Sequence, residues 1–145
     1  MKLVDANVLL YAVNEGSARH AEARRWLDTA LSGGETVAFA WIAILAFLRL
    51  ATHQAVFARP LTPDDALDVV RYWLGRPTAT VAEPTSRHLE VLAQLLVGVG
   101  TAGNLVNDAH LAALALEHGC EIVSYDADFA RFPGVRWETP AATTS

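Results

Sequence analysis

One cysteine, one lysine and no apolar run longer than 12 residues mark this 145-residue chain. With Cys120 alone there is no internal disulfide and no thiolate cluster for zinc. The longest apolar run, Val37 to Leu48, is too short for a bilayer, which takes about 20 such residues. Asp5 and Asn7 stand where a signal peptide needs its apolar segment, so no export signal is read and a cytoplasmic, membrane-free protein is expected. There is no GxGxxG or phosphate-loop motif, so nucleotide cofactor binding is unsupported. Positive charge is scarce as well. A net charge of −5 argues against holding nucleic acid through a general basic surface. Ten of the 11 basic residues are arginine, the better phosphate fork, although a compositional bias explains that equally well.

What is present is apolar and regularly spaced. Apolar residues make up 52% and the mean hydropathy is +0.24, a surplus that points to an oligomer or a partner. The length suits one domain over residues 1–139, followed by a frayed tail over 140–145. Strand-like runs at Lys2–Val4, Thr36–Ala40, Thr78–Ala82, Cys120–Tyr125 and Val135–Glu138 alternate with helix-like ones. The helices read near Asn7–Asn14, Ala18–Leu31, Trp41–Thr52, Pro63–Leu74, Ser86–Val97 and Asn104–His118. Such alternation predicts an α/β fold with a parallel sheet covered by helices. Thr62-Pro63-Asp64-Asp65 has the chemistry of a helix start, and Gly119 after His118 that of a helix end.

In open parallel sheets, ligands bind outside the carboxyl ends of the strands. Two predicted strands run into aspartate there: Val4 leads to Asp5, and Ser124-Tyr125 leads to Asp126, with Asp128 two residues on. Asp108 sits in a helix that is alanine-rich or apolar on nearly every face, where an unpaired carboxylate is costly. Asn104, four residues before it, shares its face. Asp5 also fits a plain helix cap, and Asp126 a cap on the turn at Asp128-Phe129. Three converging acids repel one another, and a divalent cation relieves that repulsion. Hard oxygen donors, with no histidine pair at ligand spacing, favour Mg²⁺ or Mn²⁺ over zinc and suit phosphodiester hydrolysis. A phosphoaspartate enzyme would also place aspartate after the first strand. It typically needs a later lysine, and here the only lysine is Lys2.

The stretches "LVDANVLLYA", "FLRLATH", "NLVNDAHLAALALEHG" and "VSYDADFARFPGVRW", in this order and spacing, resemble the PIN-domain ribonuclease toxins of the VapBC type across nearly the whole chain. The resemblance implies a three-layer α/β/α sandwich with a mostly parallel central sheet of about five strands. It further implies a Mg²⁺-dependent endoribonuclease that is the toxin of a type II toxin–antitoxin pair, a homodimer and a cognate VapB-like antitoxin. A structured RNA such as tRNA or rRNA is the substrate class expected. By position, Asp5, Asp108 and Asp126 match the family's metal-site acids, Asp128 an auxiliary acid, and Asn7 and Ser124 polar neighbours of the site. His110 lies within the matching motif but reads as a partly exposed helix histidine.

One position departs from the pattern. The family usually has a glutamate in the helix after the second strand, and by spacing from Arg49 that position is Ala46. No acid occurs between Glu35 and Asp64 to replace it. Weaker metal binding is therefore expected, and a degenerate, non-cutting module that binds antitoxin or RNA is the alternative reading. Arg49 can serve RNA phosphate or an antitoxin acid, or simply face solvent. Trp41 and Trp73 read as core or dimer packing, and Arg19, Arg24 and Arg25 as an exposed charged face.

Overall fold

The computed structural model describes residues 1–100 and 103–141. Five short strands form one sheet: β1 (Lys2–Val4), β2 (Val37–Phe39), β3 (Ala79–Val81), β4 (Glu121–Val123) and β5 (Trp137–Glu138). Their spatial order is β3-β2-β1-β4-β5. Every pairing is parallel, so the sheet is wholly and not mostly parallel. Six helices connect and cover it: α1 (Ala6–Val13), α2 (His20–Ser32), α3 (Trp41–Ala51), α4 (Pro63–Leu74), α5 (His88–Val99) and α6 (Val106–His118). Each predicted strand and helix is found with its ends shifted by no more than about two residues: most are trimmed, whereas α1 begins earlier at Ala6, α2 runs on to Ser32 and α5 to Val99. The predicted tail is described only as far as Ala141; Pro140 is buried, and residues 142–145 lie outside the described part.

The strands divide the core because successive side chains point to opposite faces. Val4, Phe39 and Val123 join Val8, Leu9, Trp26, Leu27, Ile44, Phe47 and Trp73 on the side of α1 to α4. Leu3, Ala38 and Ile122 join Leu95, Leu111, Leu114, Phe129 and Phe132 on the side of α5 and α6. Trp73 anchors the first cluster, edge-on to Phe47 with ring centroids 4.9 Å apart. Truncating an aromatic side chain buried this fully costs about 3–5 kcal/mol. The alanine-rich face of α6 lets that helix lie close to the sheet, with Ala109, Ala112, Ala113 and Ala115 all buried.

Local chemistry sets the element ends. Thr62 Oγ1 accepts from the Asp65 amide at 3.1 Å, with Pro63 in the first turn of α4. Gly119, with φ of 68°, ends α6 in the left-handed region and turns the chain into β4. The strand order reverses at the β1–β4 pair: the chain goes outward to β2 and β3 on one side and to β5 on the other. The crevice above the carboxyl ends of β1 and β4 is thus the topological switch point, where ligands of such sheets bind.

Candidate metal centre

Asp5 leaves the end of β1 and caps α1, its Oδ1 accepting from the Ala6 amide at 2.7 Å. Its Oδ2 accepts from Ser124 Oγ at 2.7 Å and from Asn7 Nδ2 at 3.4 Å. Asp5 is thus both the helix cap and a member of the acid network. Ser124, wholly buried at the end of β4, also accepts from the Asp126 amide at 2.9 Å. Asn7 closes the network: its Nδ2 reaches Ser124 Oγ at 3.2 Å, and its Oδ1 accepts from the Tyr125 amide at 3.1 Å. Neighbouring strand ends are thereby locked together by three polar side chains, Asp5, Asn7 and Ser124.

Asp126 is a cap as well, accepting from the Asp128 amide at 2.9 Å over the short 3₁₀ turn Ala127–Arg131. Asp108, in the first turn of α6, comes in from the other side. Asp108, Asp126 and Asp128 each offer a carboxylate oxygen, and all three lie within 4.8 Å of one another. Asp5 stands outside that trio but acts on it through its charge. Asp128, a supporting acid by sequence, is therefore drawn into the centre, while it also meets Arg131 at 4.0 Å.

Crowding leaves an electrostatic signature. Burial first, then the charges of Asp126 and Asp5, the hydrogen bond with Asp126 and the charge of Asp128 push Asp108 up to about 7. Burial also raises Asp5, partly offset by the hydrogen bonds from Ser124 and Ala6, with the Asp126 charge adding to the rise. A hard-oxygen cluster that resists its own ionisation fits a divalent cation: the cation attracts the crowded charges and removes the reason for the proton.

The sequence profile of the PIN domain matches residues 2–135. Ribonuclease VapC37 of Mycobacterium tuberculosis (strain ATCC 25618 / H37Rv) is 58% identical over 142 residues, spanning 98% of this chain and 99% of that protein. The chain belongs to the PIN-domain family, in its VapC branch. Solved structures agree in fold. VapBC2 from Rickettsia felis, bound to a DNA fragment from its promoter, superposes with a TM-score of 0.70 at 17% identity, covering 95% of this chain and 97% of that one. Mycobacterium tuberculosis VapC20, described as a sarcin-ricin loop cleaving toxin, gives 0.65 at 20% identity, covering 94% and 99%.

Other expected residues of this PIN domain are placed less centrally. Arg49 is exposed in the last turn of α3. Ala46 is half-buried on the same helix and belongs to neither core cluster. The side chain of Asn104 lies outside the described part of the structure. Trp73 is core, whereas Trp41 is 49% exposed.

Two groups escape the linear reading. Arg19, read as part of an exposed charged face, lies over the Tyr125 ring at 4.5 Å and near the Tyr11 ring at 5.9 Å. His110 is half-buried and hydrogen-bonded: its Nδ1 meets His88 Nε2 at 2.9 Å, and His88 Nδ1 meets Glu117 Oε2 at 2.5 Å. Partners so far apart in sequence leave no periodic trace. The only local hint is Tyr125, set between two residues of the acid network.

Proposed function

We propose that this PIN domain is the toxin of a type II toxin–antitoxin system: a Mg²⁺-dependent endoribonuclease, cytoplasmic and dimeric, restrained by a VapB-like antitoxin. The observation that carries the reading is the convergence of Asp108, Asp126 and Asp128 at the switch point, with Asp108 held protonated up to about pH 7 when alone. Asp108, Asp126 and Asp128 would hold the cation, with Asp5 beside them. When bound, it supplies Lewis-acid activation of water and neutralises charge on a phosphodiester. The chain's residues do the positioning. Ser124 and Asn7 fix the Asp5 carboxylate, and the Ser124 hydroxyl, by accepting from the Asp126 amide, fixes the loop that carries Asp126 and Asp128.

Structured RNA such as tRNA or rRNA is the substrate class, by analogy with the loop-cleaving relative. The name VapBC2 on a structural neighbour supports an antitoxin partner. Trp41 and Leu45, four residues apart on α3 and 49% and 59% exposed, give a homodimer an apolar contact face. A monomeric mass in sedimentation equilibrium would remove the dimer from this reading. The absence of a carboxylate at position 46 favours a second reading, a module that binds antitoxin or RNA without cutting. Cleavage of total cellular RNA with and without Mg²⁺, by the protein and by Asp126→Asn, separates the two. We expect Mg²⁺-dependent cleavage that the variant loses; equal activity in the variant, or none in either, defeats the ribonuclease reading.

A further inference from the structure

The acids explain how a cation is held but not how an acidic protein keeps a polyanion beside them. Among the described residues, four of the 11 basic side chains are held in ion pairs. Lys2, the only lysine, is engaged by Glu121 and Glu138, with Glu138 at 2.6 Å, at the start of β1. Arg24 pairs with Asp28, Arg71 with Asp68 and Arg131 with Asp128. Arg19 differs. Among the described residues no carboxylate forms an ion pair with it, and its guanidinium rests on the Tyr125 ring instead.

That seat is built. Tyr125 and Tyr11 meet edge to face with centroids 5.4 Å apart. The Tyr125 hydroxyl donates to Glu22 Oε1 at 2.8 Å, which fixes the ring. The Arg19 amide donates to Ser17 Oγ at 3.1 Å, and His20 Nδ1 meets the Tyr11 carbonyl at 2.9 Å, which fixes the start of α2 against α1. The seat is also continuous with the metal centre. Tyr125 separates Ser124 from Asp126, its amide donates to Asn7, and Asn7 and Tyr11 share one face of α1.

We propose that Arg19, stacked on Tyr125 and Tyr11, is the residue that positions an unpaired stretch of the RNA at the acid cluster by holding a phosphate along the strand from the one cut. This rests on the ribonuclease reading above. Guanidinium suits the task, because its planar fork pairs with phosphate while its face lies on an aromatic ring. An exposed cation on a rigid platform also loses little conformational freedom on binding. RNA is favoured over a protein partner because Tyr125, the platform residue, is flanked by Ser124 and Asp126 of the centre proposed to act on a phosphodiester.

The test measures binding of a short fluorescein-labelled, mixed-sequence single-stranded RNA by anisotropy, with Ca²⁺ in place of Mg²⁺, for the parent, Arg19→Ala and Arg19→Lys. Turnover in Mg²⁺ and melting temperature are followed alongside. Arg19→Ala should weaken binding about tenfold and reduce the salt slope by about 0.7, the value of one phosphate contact on a single strand. KM should rise while kcat at saturation holds, and the melting temperature should hold too. Arg19→Lys should recover the salt slope but not the affinity, a split that a purely structural brace does not produce. Unchanged affinity and slope in Arg19→Ala, while the parent binds and cuts RNA, overturns the proposal and leaves the ribonuclease reading standing. A loss confined to antitoxin binding also overturns it and gives Arg19 to the protein partner. A parent that neither binds this RNA nor cuts total cellular RNA in Mg²⁺ sinks both.

Discussion

At Asp108 an electrostatic strain and a proposed function meet in one residue. Burial and three neighbouring acids raise it to about 7, against an ordinary carboxylate value near ~4. Between those values the folded protein holds a proton that the unfolded chain has released. Stability without metal therefore falls as pH rises through that window, and the penalty is complete above about 7. Asp108→Asn removes the titration, so it should raise the metal-free melting temperature near pH ~8 and change it little near ~5. Comparing variant with parent cancels the other titrating groups. A divalent cation replaces the proton, so Mg²⁺ should stabilise the parent more at the higher pH and the variant hardly at all. A variant melting lower than the parent at the higher pH, in chelator, would mean that Asp108 is held by a favourable partner and not by crowding.

At the scale of elements, the pairing of α5 with α6 contrasts with that of the strands. The strands were legible because each is a short apolar run between turn residues, and the acids at their ends followed from the parallel topology. Asp108 was legible as a carboxylate in an otherwise apolar helix. The α5–α6 clasp was not. Glu117, with a side chain 0% exposed, accepts from the Thr85 amide at 2.9 Å and from the Thr85 hydroxyl at 2.5 Å. Burial alone would raise its pKa, but the hydrogen bonds from Thr85 and His88 outweigh that and lower it. An ionised Glu117 only accepts, so His88 donates to it from Nδ1, and His88 Nε2 and His110 Nδ1 share one further hydrogen bond. Each residue taken singly reads as an ordinary helix-surface group, and only three-dimensional packing joins them. The same holds for Arg19 on Tyr125. Glu117→Ala leaves the His88 donor and the Thr85 amide without their acceptor, and should cost about 1–3 kcal/mol in urea denaturation. A change within about 0.5 kcal/mol, the range of ordinary surface substitutions, would make the clasp incidental.

Across the whole molecule, the balance of charge decides how far the chemistry can go. The chain is acidic overall, its acids converge at the switch point, and its lysine is locked into a carboxylate pair elsewhere. Metal affinity and RNA affinity therefore pull against each other: each added carboxylate tightens the cation and repels the substrate. Ala46, where the family pattern has glutamate, lies on the permissive side of that trade. It is half-buried and outside both clusters, so a longer side chain there does not have to displace core atoms. If α3 faces the cation as the family pattern implies, Ala46→Glu adds a further carboxylate to the set. With Mg²⁺ present the change should tighten metal binding in calorimetry and speed cleavage. With chelator it should lower the melting temperature, because like charges then crowd a poorly solvated crevice. The sign reversal is the diagnostic. Equal destabilisation with and without Mg²⁺ would place position 46 in ordinary packing, away from the cation. Tighter metal binding with no RNA cleavage in either protein would favour the non-cutting module, because the missing carboxylate would then not be what withholds activity.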